Sequence, residues 1–395
     1  MMFSQIKQQI TEQATKHEQT IWDSAVYIHE NPELGLAEYK ASTYLTDLLE
    51  EHGFVVERGA AGLETAFHAT FALNADPSPC VAFIAEYDAL PELGHACGHN
   101  LIGAAGVGAA IVLSKIKALK GRIVVLGTPA EETVGGKIPF VKKGYLTDVD
   151  AAMMVHPSER HEVRGQSRSC IAVNVEFRGR PAHAAGRPHD GINALDAMIQ
   201  LFTNIGLLRQ QLHDDVRIHG FISHGGAASN IIPDYTRAEF LVRAMNSERT
   251  YDTLERFKNC VRAAALATGA SETIIPDLDH VFEPLKTNSV IMERYIQNMK
   301  GLGVMVQPQD PLRVGGSTDM GNISQAVPGI HPRLGIAEPD QKLIGHSPEF
   351  ATAARSEQAR VALSQGVTAL ALCGADLLSD PEILSAAKAE FEKTT

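Results

Sequence analysis

The apolar positions Ile6, Ile10, Ala14, Ile21, Ala25 and Ile28 return at three- and four-residue steps, with an interruption over Lys16 to Thr20. That pattern predicts an amphipathic helix across residues 4–30, broken at the interruption and covering one face of a sheet. Asn31-Pro32-Glu33-Leu34-Gly35 reads as a turn, because proline restricts the residue before it, and helical spacing resumes from Glu38 to Glu51. Strand-like runs follow at 53–58, 66–73 and 80–85, and a Gly- and Ala-rich helix at 101–120. Gly103, Gly106 and Gly108 in that helix lack the spacing of a nucleotide-binding fingerprint and predict close packing of helix on sheet. Arg122 to Gly127 and Ala151 to Val155 are continuous apolar runs, as in strands buried on both faces.

The rhythm changes near Cys170. Ile171 to Phe177 alternates apolar and polar, a helix is expected over 193–212, two more alternating strands over 216–223 and 235–245, a helix over 249–268 and a last strand over 272–278. This β-α-β-β-α-β order predicts a small α+β, ferredoxin-like domain at 170–284, inserted into an α/β domain made of 1–169 and 285–395. The outer domain resumes with a strand near Leu334 to Ala337, a polar loop at Ile344 to Glu349 and a closing helix over 352–372.

Length and charge narrow the function. A chain of 395 residues is expected to form more than one domain, and a net charge of −12 without a basic tract argues against nucleic acid as a partner. Small molecules or short peptides are the expected partners. The five widely spaced cysteines form no CxxC pair, which fits a reducing, cytoplasmic setting. The longest weakly polar run, Leu101 to Leu113, is too short to span a bilayer, so no membrane association is expected.

The chemistry gathers at strand ends. The run 80–85 leads into Asp88 and then His95-Ala96-Cys97-Gly98-His99, the run 122–127 into Glu131-Glu132, and the run 151–155 into His156. Ligands of open α/β sheets sit beyond the carboxyl ends of strands, so these residues are expected on one rim, joined by His346 from the polar loop. Taken singly, Cys97 reads as a buried thiol and Glu131-Glu132 as a solvated turn. Together, Cys97, His99, Glu132, His156 and His346 offer five N, O and S donors, more than one zinc ion takes, which suggests two divalent metals sharing a bridge. Cys97 is the expected bridge. Glu131 is placed to act as general base, and Asp88 to orient a ligand imidazole.

These motifs resemble the two-metal aminoacylase and carboxypeptidase superfamily. Asp88-Ala89-Leu90-Pro91 with His95 to His99, Pro129-Ala130-Glu131-Glu132, the His183 segment and His346-Ser347-Pro348-Glu349-Phe350 carry the resemblance. It is strongest to the amidohydrolase branch with p-aminobenzoyl-glutamate hydrolase, auxin-conjugate hydrolases, dipeptidases for basic or β-alanyl substrates and a methicillin-resistance-associated bacterial amidohydrolase. The resemblance implies a mixed-sheet, zinc-peptidase-like catalytic domain with helices on both faces. It also implies that the inserted domain is a lid that forms a homodimer or higher oligomer. The implied activity is metal-dependent hydrolysis of an amide or peptide bond in N-acyl amino acids, dipeptides or short peptides, with zinc or manganese as cofactor. It implies Cys97, His99, Glu132, His156 and His346 as ligands, Glu131 as base, His183 at the transition-state oxyanion, and Asn230 and Arg243 as substrate contacts. His331, with His189, His219 and His224, reads as structural. Asn100 stands where many relatives have aspartate, and Glu86 where wider-superfamily enzymes have a ligand histidine. The competing classes are a catalytically silent scaffold that keeps the fold and a redox protein built on Cys97.

Overall fold

The computed structural model describes residues 2–76, 78–310 and 315–393. The first helix, α1 (Met2–Glu30), is unbroken. The expected interruption is absent because His17 occupies the buried slot between Ala14 and Ile21, its Nδ1 2.9 Å from the Gln13 carbonyl. After α2 (Tyr39–Glu51) come β1 (Val55–Arg58), β2 (Phe67–Ala72), β3 (Cys80–Glu86), α3 (His99–Ser114), β4 (Arg122–Thr128), α4 (Lys137–Lys142) and β5 (Ala151–Met153). Strands β3, β4 and β5 run parallel, while β1 and β2 continue the sheet antiparallel beyond β4. Every residue of β3 is buried. Val81, Phe83 and Ala85 face one core and Ala82 and Ile84 the other, so the continuous apolar run reports two covered faces.

Helix α3 lies against β3 at a spacing that only glycine permits. A Cβ on Gly106 would fall 2.6 Å from the Ile84 carbonyl oxygen, and one on Gly108 would fall 2.9 Å from the Ile21 side chain of α1. The helix is therefore pressed on the sheet through Gly106 and on α1 through Gly108.

The run 151–155 does not deliver His156 as a loop residue. His156 opens a separate short strand, β6 (His156–Ser158), because the chain leaves the main sheet after β5 and pairs elsewhere.

The inserted unit comprises Ser167–Pro284 with Gly315–Ser317. It contains β7 (Ser169–Arg178), α5 (Ala194–Leu208), β8 (Arg217–His224), β9 (Tyr235–Ala244), α6 (Ser247–Thr268) and β10 (Ser271–Pro276). Its strands are ordered β10-β7-β9-β8 and are all antiparallel. The unit has its own core, in which Val173, Val175 and Phe177 of β7 meet Leu201 of α5 and Phe257 of α6. Asn193 and Asn246 cap the two helices by accepting backbone N–H groups. Strand β8 is an edge strand and leaves Phe221 and Ile222 exposed.

The first unit resumes with α7 (Ser289–Gly301), α8 (Met320–Ala326), β11 (Gly329–Ile330), β12 (Arg333–Gly335), α9 (Pro348–Ala353), α10 (Glu357–Ser379) and α11 (Pro381–Lys393). Strand β11 extends the main sheet parallel to β5, giving the order β1-β2-β4-β3-β5-β11, and β12 pairs parallel with β6. The closing helix expected over 352–372 is two helices and is not the last. Ser356 starts α10 by accepting the Ala359 N–H, and α10 runs on to Ser379. Among the described residues, α10 is the one helix long and apolar enough to cross a membrane, and it is mostly buried inside the fold.

Candidate metal centre

The parallel strands bring their carboxyl ends to one edge, and each end is turned by a local device. After β3 the chain runs to Cys97 and Gly98, whose left-handed φ of 79° sets the start of α3, so that His99 is the first residue of that helix. After β4, Ala130 takes φ 60° and donates its N–H to Glu38 Oε1 at 2.8 Å, turning Glu131 and Glu132 out of the strand. His346 also has a left-handed φ, 63°, and its N–H donates to the Ala96 carbonyl at 2.9 Å. A non-glycine residue held there is strained, and that hydrogen bond is one of the contacts that fix it.

Three overlapping groups of donors result: Cys97, His99 and His156; Cys97, Glu132 and His346; His99, Glu131 and Glu132. Within each group the donor atoms lie within 4.8 Å of one another. Cys97, His99 and Glu132 are each common to two of the groups. The Cys97 Sγ is 3.6 Å from His156 Nε2, and His346 Nε2 is 3.2 Å from Glu132 Oε1. His346 is more than half exposed, whereas His99 is fully buried. Solvent therefore reaches the centre on the His346 side.

Asp88 ties two parts of this set together. Its Oδ1 accepts from His99 Nδ1 at 3.0 Å, and its Oδ2 accepts the Glu132 backbone N–H at 2.9 Å. The first bond fixes the imidazole tautomer and leaves Nε2 as the free nitrogen. That Nε2 is buried without a hydrogen-bond partner, as is Glu86 Oε1 3.3 Å away. Orphaned buried atoms in a cluster of sulfur, imidazole and carboxylate donors are what a site for a borderline-soft divalent cation requires. The residues fit a metal.

The electrostatics agree. Burial raises the Cys97 thiol, but His99 and His156 outweigh it and bring it down to about 6. Glu132 is brought down to about 2 against burial by His346 and His99, and its partners Cys97 and Glu132 carry His346 up to about 10. Glu131 moves the opposite way, well above the ordinary carboxylate range, because burial and then the neighbouring Glu86, Asp319 and Glu132 disfavour its charge.

Several participants were not singled out by the sequence. Lys137 is fully buried between Glu86 Oε2 at 2.5 Å and Asp319 Oδ1 at 2.7 Å, and its backbone N–H donates to Asp319 Oδ2. Glu86 is thus a counter-ion held beside the centre. Its place two residues before Asp88 was the only signal. Asn100 is buried away from the donors: its Nδ2 donates to the carbonyls of Ala25 and Ala354, at 3.2 and 3.1 Å. An aspartate there could make neither bond.

The remaining sequence candidates belong to the inserted unit. His183 is exposed and bridges to Ile231, its Nδ1 accepting the Gly186 N–H at 3.1 Å, so Nε2 carries the proton. The Asn230 carbonyl accepts from the Ala184 N–H, which fixes the two segments side by side. Arg243, on β9, has Nη1 3.5 Å from Ser317 Oγ and a buried Nε without a partner.

Comparison with known proteins gives a consistent group. Residues 166–269 match the family described as peptidase dimerisation domain, M20_dimer. The chain is 37% identical over 380 residues to the Xaa-Arg dipeptidase of Mus musculus, covering 91% of this chain and 86% of that one. Among solved structures it is similar to a protein described as an aminohydrolase from methicillin resistant Staphylococcus aureus, with a TM-score of 0.79 and 20% identity, covering 94% of this chain and all of that one. A dinuclear metal binding peptidase of the M20 family from Bacillus subtilis matches with a TM-score of 0.65 and 21% identity, over 92% of this chain and 99% of that one.

Proposed function

The chain belongs to the M20 peptidase family and is a metal-dependent hydrolase of amide or peptide bonds, and we propose that its substrates are dipeptides with a basic C-terminal residue. The dipeptidase likeness, at 37% identity over most of both chains, supports this choice of substrate, as does the acidic character of the protein. N-acyl amino acids are the second substrate class, in keeping with the likeness to an N-acetyl-L-cysteine deacetylase.

The observation that carries the mechanism is the pair of donor groups that meet at Cys97 with Glu131 beside them. Cys97, His99, Glu132, His156 and His346 would hold two divalent cations, zinc or manganese. Bound there, such cations supply Lewis-acid polarisation of the scissile carbonyl and acidification of water. The protein's own residues do the rest. Asp88 holds His99 in one tautomer and pins the Glu132 backbone. Glu131 accepts a proton from the attacking water and passes it to the nitrogen of the leaving amine as the C–N bond breaks. By the family resemblance, His183 Nε2–H is assigned to the developing oxyanion, and Asn230 and Arg243 are assigned as substrate contacts.

The inserted unit mediates a homodimer in this reading, supported by the family match over 166–269 and by the exposed apolar residues of edge strand β8. The five free cysteines, one of them a ligand, suit the cytoplasm.

Turnover of dipeptides ending in arginine or lysine, and of N-acyl amino acids, with and without a chelator, tests the reading. Glu131→Ala is expected to lower kcat by about 10²- to 10⁴-fold while metal content stays at the wild-type value. Activity that survives both chelation and this substitution would overturn the mechanism.

A further inference from the structure

We infer that Arg164 and His331 form a carboxylate-binding subsite beside His156, which receives the free α-carboxylate of the substrate. The inference rests on the hydrolase reading of the same centre and specifies what the substrate must carry.

Arg164 is 7% exposed, and its Nε is buried without a hydrogen-bond partner. Among the described residues its guanidinium has no ion pair. The neighbouring cations do: Arg160 and Arg333 lie 3.5 and 3.6 Å from Glu162 Oε2, and Lys137 is clamped between Glu86 and Asp319. A guanidinium withdrawn from water without a contacting anion is costly, and the acids nearest in charge, Glu131 and Glu86, act on it only through space.

His331 presents the same anomaly. It is fully buried, and neither ring nitrogen has a hydrogen-bond partner. Its ring centroid lies 5.6 Å from that of the ligand His156. The backbone brings it to Arg164. Glu162 and Arg333 form an antiparallel bridge, with the Arg333 N–H donating to the Glu162 carbonyl at 2.8 Å and the Glu162 N–H to the Arg333 carbonyl at 3.2 Å. Two residues further along each segment, on the face that carries the Glu162–Arg333 ion pair, come Arg164 and His331.

With neither ring nitrogen bonded within the protein, His331 has an N–H to give to a ligand. A forked guanidinium and one N–H match the two oxygens of a carboxylate. A metal cation is excluded as occupant by the positive charge of Arg164, and water alone would leave that charge uncompensated. A ligand beside His156 sits within one residue's length of the metal ligands, where the α-carboxylate of the residue after the scissile bond must lie.

Calorimetric binding to the metal-loaded full-length protein provides the test, with L-arginine and its primary amide as the probes, since neither carries an N-acyl bond to cleave and they differ only at the carboxylate. The wild type is expected to bind the acid at least about 30-fold more tightly than the amide. In Arg164→Gln this preference should fall to within about 3-fold, in Arg164→Lys to an intermediate value, and in His331→Asn by a smaller factor than in Arg164→Gln. Metal content and thermal midpoint are measured on each variant. If Arg164→Gln does not fold, Arg164→Lys and His331→Asn carry the comparison. A wild type with no preference for the acid, or a preference that the substitutions leave intact, overturns the subsite. Because binding is read without turnover, failure of the subsite is distinct from failure of the hydrolase reading.

Discussion

Asp88 shows how a centre of this kind is held by a residue that is not itself among the donors. One carboxylate spans the imidazole of His99 and the backbone of Glu132, so the loops after β3 and β4 move as one body. Cys97 couples the centre in a second way, by belonging to two donor groups. Cys97→Ser is therefore expected to lower occupancy of both metal positions. His156→Ala and His346→Ala should each deplete chiefly one, and not the same one. Metal content by elemental analysis after dialysis decides this, and two metals retained per chain in Cys97→Ser would remove the shared position. The five donors were legible in the sequence because each follows a strand, an alternating pattern or a glycine turn. Lys137, Asp319, Arg164 and His331 were not. A lysine is ordinarily exposed, and its burial at Lys137 depends on Asp319, a partner from a distant segment that the sequence does not point to.

At the scale of elements, apolar runs placed β3 and β4 well, because burial on both faces writes itself into every position of a strand. Where the reading failed, a single residue overrode the pattern. His17 continued the buried stripe of α1 as a polar residue, Ser356 divided the expected closing helix, and the chain after Met153 left the sheet to build β6 against β12. The glycines of α3 were legible as packing residues but not as to their targets. Gly106 sets how closely α3 approaches β3, and α3 begins with a donor residue. Gly106→Ala is expected to destabilise the protein by about 1–3 kcal/mol through overpacking against the Ile84 carbonyl. It should also weaken metal binding, since His99 rides on the displaced helix. Denaturant unfolding together with metal titration measures both, and an unchanged midpoint with unchanged affinity would show that the helix shifts freely.

Over the whole molecule, the β-α-β-β-α-β order of the insertion was readable in the sequence, because its central strands β7 and β9 alternate buried and part-exposed positions. Its excursion to include Gly315–Ser317 was not readable, since three residues carry no pattern. Having its own core and both helices capped, the segment 167–284 is expected to fold by itself with a cooperative thermal transition, and sedimentation would show whether it pairs. Absence of a cooperative transition would mean that the unit depends on the rest of the chain.

The interrupted first unit has a consequence for synthesis. Four of the five donors leave the ribosome long before His346, and the apolar face of α3 emerges long before α10, which covers it. The nascent chain must carry an uncovered helix and an unfinished sheet edge while the whole insertion is made. During that interval α1 and the sheet can cover only part of α3, and the face that α10 covers stays open to solvent.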